Sequence, residues 1–273
     1  MKYQRRIIAF LDILGFKNLV NNKELDEILD ILKDFSLAEQ YPHSFHPLCP
    51  CSEREKDDCD FKITQISDSL IISAELTNFG MINLIYFCHR SLYKLLSRGL
   101  LCRGYITVGN IYHETNQIIG EGYIRAYEYD AEKKTTFSVL ENVEIEKGTP
   151  FVEIDNDVID KLYSSNDPCI IEMSKRITKT VENTTALYPL NILSQGSEIE
   201  NFNGDIATLN KFKILIEKHT NNENEKVLQK SKQHLKIIED LIQENTQAIK
   251  NQELLLKPFP FKTVKDLKQE WNK

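Results

Sequence analysis

The chain has 273 residues, of which 41% are apolar and 27% charged, values that exclude a wholly disordered chain or a collagen-like fibre and suit one globular domain with or without an appendage. A balance of 34 Lys and Arg against 41 Asp and Glu leaves a net charge of -7, which argues against a general basic surface for nucleic acid or anionic lipid, though not against a local basic pocket. No apolar run approaches the roughly 18 residues that a membrane helix needs, so the expectation is a cytoplasmic chain with no membrane and no nucleic-acid partner.

Arg6 to Leu11 reads as a strand that ends in Asp12 and Gly15, and Leu25, Ile28, Leu29, Leu32 and Phe35 then recur at helical spacing. The pattern stops over residues 40–60, an irregular insert carrying prolines, His43, His46, Cys49, Cys51 and Cys59. These nitrogen and sulfur donors suit a structural, non-catalytic zinc or else a loop with free thiols, and six cysteines are too few for a disulfide scaffold. Phe61 to Ile66 and Leu70 to Ala74 suit a tight hairpin with Asp68 at its tip. Met81 to Ser97 carries Ile82, Ile85, Leu92, Leu95 and Leu96 on one helical face and stops at Gly99. Leu101 to Ile111 is strand-like, a polar turn from His113 to Gln117 follows, and Gly120 opens a helix through Glu128. Phe151 to Ile154 reads as a strand, and Asp155 to Tyr163 as a helix capped by Asp155 or Asn156. This order predicts an α+β, ferredoxin-like (split βαβ) core in residues 1–190, with an antiparallel-type sheet covered by helices. Residues 191–273 are expected to be a helical C-terminal extension, in which Leu228, Leu235, Ile242 and Ile249 repeat every seven residues beside Ile238. That stripe either packs back on the same chain or meets a partner helix.

Two segments carry chemistry. Phe10-Leu11-Asp12-Ile13-Leu14-Gly15-Phe16 puts a carboxylate at the end of a strand and a glycine where the backbone turns into a helix, a setting for a divalent metal and a phosphate. Ile66-Ser67-Asp68-Ser69 brings a second aspartate on a hairpin tip that can lie beside the end of the first strand, so that two carboxylates share two metals. Taken singly, each aspartate reads more readily as a turn cap than as a ligand. His89, His113, His219 and His234 have no partner at recognisable spacing and read as ordinary helix or turn residues.

These motifs resemble the class III nucleotidyl cyclases over residues 5–165. The likeness lies in the Phe10–Phe16 strand-turn, the Asp68 hairpin, the strand Arg103-Gly104-Tyr105-Ile106-Thr107-Val108-Gly109 with Tyr105 in place of a glycine, and the helix Ile124-Arg125-Ala126-Tyr127-Glu128 after Gly120. More narrowly, they look like the bacterial pyrimidine cyclases of anti-phage (Pycsar) signalling. The resemblance implies that Asp12 and Asp68, with the carbonyl of Ile13, ligate two divalent cations, Mn²⁺ or Mg²⁺. One cation acidifies the ribose 3′-hydroxyl for in-line attack on the α-phosphate, and the other offsets charge on pyrophosphate. The amides of Gly15 and Phe16 cradle the triphosphate, and a head-to-tail homodimer shares two sites. The product, cyclic UMP or cyclic CMP, acts on a separate effector. Purine cyclases read the base with Lys or Glu and Asp or Cys where this chain has Thr64 and Gln117, which implies a pyrimidine triphosphate, UTP or CTP. Their helix Asn and Arg are replaced by Ile124 and Glu128, leaving Arg125 for the transition state and Arg103 for the triphosphate. An adenylate or guanylate cyclase, or a cyclase-like nucleotide sensor or dimer scaffold without turnover, are the alternatives.

Overall fold

The computed structural model describes residues 2–36, 60–114, 117–132, 134–140, 149–194, 199–219 and 225–256. The predicted insert lies outside them except for Asp60, and with it His43, His46, Cys49, Cys51 and Cys59. Strand β1 (Gln4–Ile13) is buried on both faces, since Ile7 to Leu11 are all apolar and it runs through the middle of the sheet. Helices α1 (Phe16–Asn22) and α2 (Leu25–Ser36) follow, then the hairpin of β2 (Phe61–Ile66) and β3 (Ser69–Glu75), helix α3 (Asn78–Leu96), β4 (Cys102–Glu114), β5 (Gln117–Ile119) and α4 (Glu121–Ala131). Beyond them come β6 (Val152–Ile154), α5 (Asn156–Tyr163), α6 (Pro168–Ile177), the β7 (Thr178–Val181) and β8 (Thr184–Leu187) hairpin, a short 3₁₀ turn, and α7 (Ile199–Glu217) and α8 (Glu225–Leu256).

The eight described strands form one sheet in the order β2-β3-β1-β4-β6-β8-β7, with β5 paired to β4. Its first four strands have the split βαβ order that the sequence predicts. The sheet is antiparallel except for the β4–β6 pair, which is parallel because α4 and the segment after it carry the chain back to the starting end of β4. The fold class is therefore α+β, with a mixed rather than uniformly antiparallel sheet and helices over both faces.

The two faces differ. Ile7, Ala9, Leu11 and Ile13 point to the side where α2, α3, α5 and α6 build the main core. Ile8, Phe10 and Ile71 point to the side covered by α4, with Ile111 and Ala126 completing a smaller cluster. Here α4 and β4 touch through two glycines. A Cβ on Gly122 would stand 2.4 Å from Ile8 Cδ1, and one on Gly109 would stand 2.5 Å from the Gly122 Cα, so only glycine permits this approach.

Two sequence expectations shift by part of a turn. On α2 the buried residues are Ile28, Ile31 and Phe35, while Leu25 and Leu29 are exposed, because the helix rests on the core by a stripe that Ile31 shares and those two leucines do not. On α8 the buried line runs through His234, Ile237, Ile238, Leu241 and Asn245, with Leu235 and Ile242 flanking it. That line packs in cis: with Leu209, Phe212 and Ile216 of α7 it covers Leu96, Leu101, Phe137, Phe151 and Tyr188. The polar turn also shortens, since His113 and Glu114 belong to β4 and pair with β5. No helix among the described residues is long and apolar enough to cross a membrane.

Candidate active site

Asp12 is the penultimate residue of β1 and points to the α4 side of the sheet. The register puts it opposite Ser69 of β3 on one flank and opposite Arg103 of β4 on the other. Both neighbours use the adjacency. Ser69 Oγ donates to Asp12 Oδ1 at 3.2 Å, and the Arg103 guanidinium donates to Asp12 Oδ2 through Nη2 at 3.1 Å and Nε at 3.3 Å. Arg103 Nε also pairs with Asp130 Oδ1 on α4 at 3.1 Å, which ties one cation between two carboxylates.

Asp68 sits in the two-residue loop of the β2–β3 hairpin, where Ser67 adopts a left-handed φ of 55°. The loop is fastened to β1, because the Ile13 amide donates to the Asp68 carbonyl at 3.1 Å. Burial pushes the Asp12 carboxyl above the usual range for a carboxylate, the Arg103 charge pulls it down, and the charge on Asp68 pushes it up again. The charge on Asp68 thus reaches the Asp12 carboxyl, and a cation bound there would relieve that repulsion. Oxygen donors of this kind fit a hard divalent ion such as Mg²⁺ or Mn²⁺. Among the described residues no cluster of three or more His, Cys, Asp and Glu side chains is placed to hold a metal.

Gly15 follows with φ 78°, ψ 17°, a left-handed conformation that lets the chain leave β1 and enter α1 at Phe16. A side chain there would meet nothing within 4 Å, so backbone conformation and not crowding calls for the glycine. Asp12, Ile13, Asp68, Arg103, Gly15 and Phe16 therefore gather at one end of the sheet.

The remaining predicted residues lie elsewhere in the chain. Arg125, on α4, donates to Asp155 Oδ2 at 2.6 Å, and Asp155 also accepts from Thr107 Oγ1 and caps α5 through the Asp157 amide. Thr64, on β2, contacts His113 Nε2 through its hydroxyl at 3.0 Å. Gln117 is exposed on β5, opposite Glu114, whose carboxylate holds Lys62 at 2.6 Å. Sequence reading missed Ser69, Asp130 and His113. Ser69 was legible as the residue after Asp68, whereas Asp130 and His113 reach their partners across 27 and 40 or more positions and left no spacing signal.

The chain matches no protein-family model and no curated protein sequence. Among solved structures it is similar to the crystal structure of the catalytic core of a rhodopsin-guanylyl cyclase with converted specificity, in complex with ATPαS. The two share 9% sequence identity with a TM-score of 0.40, over 68% of this chain and 95% of that one.

Proposed function

We propose that this chain is a nucleotide cyclase that converts UTP or CTP to the 3′,5′-cyclic monophosphate and pyrophosphate. The observation that supports the reading is the fastening of the Asp68 loop beside the end of β1, which brings the Asp12 carboxyl within reach of the Asp68 charge, as the resemblance to class III cyclases implies. Asp12, Asp68 and the Ile13 carbonyl are the residues to hold two divalent cations, Mn²⁺ or Mg²⁺, which when bound activate the attacking hydroxyl and neutralise the leaving group. Arg103 balances Asp12 in this structure and is positioned to turn its guanidinium toward phosphate oxygens while keeping Asp130 as counter-ion. In this reading the amides of Gly15 and Phe16 cradle the triphosphate.

In this reading two copies complete each other's sites, with Arg125 of one copy and the carboxylates of the other at one nucleotide, because Arg125 has no contact with Asp12 within the chain. Thr64 and Gln117 read the base, and the cyclic product signals to a separate effector in anti-phage defence, in a cytoplasmic setting.

Incubation with ATP, GTP, CTP and UTP plus Mn²⁺ or Mg²⁺, followed by product identification, tests the reaction. Asp12→Ala and Asp68→Ala are expected to lower turnover by about a thousandfold or more, the several kcal/mol a metal ligand supplies, with folding preserved. Wild-type turnover in either variant refutes the site. Mixing Asp68→Ala and Arg125→Ala chains is expected to restore part of the activity, and heterodimers without rescue refute the shared site.

A second reading, a nucleotide-binding scaffold without turnover, is favoured by the engagement of Arg103 with Asp12 and of Arg125 with Asp155. Binding of a triphosphate without any cyclic product would select it.

A further inference from the structure

Thr64 carries one hydroxyl hydrogen and, besides it, only lone pairs, so what it recognises depends on where that hydrogen goes. Four side chains on the α4 side of the sheet decide this. Arg6 is 2% exposed and ion-paired to Asp60 at 2.5 Å; its Nε donates to Ser73 Oγ at 3.1 Å. A guanidinium only donates, so Ser73 must accept. Ser73 is fully buried, and its one other hydroxyl contact among the described residues is His113 Nδ1 at 2.9 Å. The hydrogen on Ser73 Oγ therefore has Nδ1 as its acceptor, since leaving it unpaired in the interior would cost about 1–3 kcal/mol. With Nδ1 accepting, the ring proton of His113 sits on Nε2, which donates to Thr64 Oγ1 at 3.0 Å.

The ring is neutral when this holds. Burial, joined by the cations of Arg6 and Lys62 and opposed by Glu114 and Asp60, lowers the His113 pKa to about 4. No proton is then available for Nδ1, and the direction of the chain from Arg6 to Thr64 is set by its one obligate donor.

We propose that His113 is a positioning residue which, held in the Nε2–H tautomer by Arg6 and Ser73, leaves the Thr64 hydroxyl hydrogen free to donate and so makes Thr64 select an acceptor on its ligand. The identity of that ligand rests on the cyclase reading above, in which Thr64 meets the exocyclic group of a base. A donating hydroxyl pairs with a keto oxygen, whereas an amino group could use only the second lone pair and would leave that hydrogen unpaired. The site thus favours keto bases over amino bases: UTP over CTP.

Two measurements test this separately. Long-range ¹H–¹⁵N correlation on the full chain at neutral pH, with His113 assigned through His113→Gln, should show a bare Nδ1 and a protonated Nε2. An Nδ1–H tautomer or an imidazolium overturns the proposal whatever the enzyme does. Ser73→Ala removes the hydroxyl that fixes the ring and should bring in the second tautomer; an unchanged ring refutes the relay. Base selection is read by equilibrium binding of non-reactive UTP and CTP analogues, which needs no turnover. Thr64→Val, of similar shape but without the hydroxyl, should lower the UTP-to-CTP affinity ratio about tenfold, whereas Thr64→Ser should keep it. An unchanged ratio in Thr64→Val overturns base selection by Thr64. A failure to make cyclic product with these two results intact would defeat the cyclase reading alone.

Discussion

His89 shows how much a single side chain costs this fold. It lies on α3, 2% exposed, stacked at 6.2 Å on Tyr86, and neither ring nitrogen has a hydrogen-bond partner among the described residues. Burial, aided by the charge of Arg90, lowers its pKa to about 4; burial likewise lowers His234 to about 4, where the ring stacks on Phe151 at 4.8 Å. These rings are neutral in the folded chain and titrate near 6.5 when it unfolds, so the unfolded state binds more protons between the two values. Stability from this source is complete above about pH 6.5 and falls as the pH drops toward 4, by up to about 1.4 kcal/mol per pH unit for each histidine. His89→Leu should remove one proton from that dependence and raise stability at pH 5 relative to the wild type, as measured by urea unfolding across the range. An unchanged slope would show that His89 is hydrated in solution.

At the scale of elements, the hairpins set the geometry with tight loops. The β7–β8 loop places exposed Glu182 at φ 52°, a left-handed conformation that costs an L-residue about 1–2 kcal/mol, part of which glycine recovers after its larger entropy loss on folding. Glu182→Gly should stabilise the chain by about 0.5–1 kcal/mol, seen as a rise in Tm of about 1–2 °C. A fall in Tm would mean that the glutamate side chain contributes more than its backbone costs. Ser67 has the same strain, but its loop carries Asp68, and relief there would loosen the turn that the Ile13 amide fastens through the Asp68 carbonyl.

At the scale of the whole molecule, α7 and α8 share a core with the sheet. Phe212 is 5% exposed and packs edge-on against Tyr93 of α3 at 5.5 Å, within the cluster that includes Leu96 and Leu101. Phe212→Ala should therefore cost about 3–5 kcal/mol and lower the denaturation midpoint of the entire chain in one transition. Two separate transitions would mark residues 191–273 as an independently stable unit.

Periodicity and punctuation sufficed for the order of strands and helices, because burial of one face imposes a repeat of two or 3.6 residues on the sequence itself. Gly15, Gly120 and the Asp155 cap are local backbone devices, and each stands where the sequence predicts it. That the loop of Asp68 comes next to the end of β1 was legible for a similar reason: Asp12 and Asp68 lie at strand ends next to turns, and the split βαβ order makes those strands neighbours. Which leucines of α2 and α8 are buried was not, because a helix can be rotated by part of a turn without changing its pattern, and only the surface it rests on chooses. Nor were the links from Arg103 to Asp130 and from Arg6 through Ser73 and His113 to Thr64. These bonds join residues 27 to 67 positions apart, and their donors and acceptors acquire meaning only when the sheet register and the packing of α4 bring them within 3.3 Å.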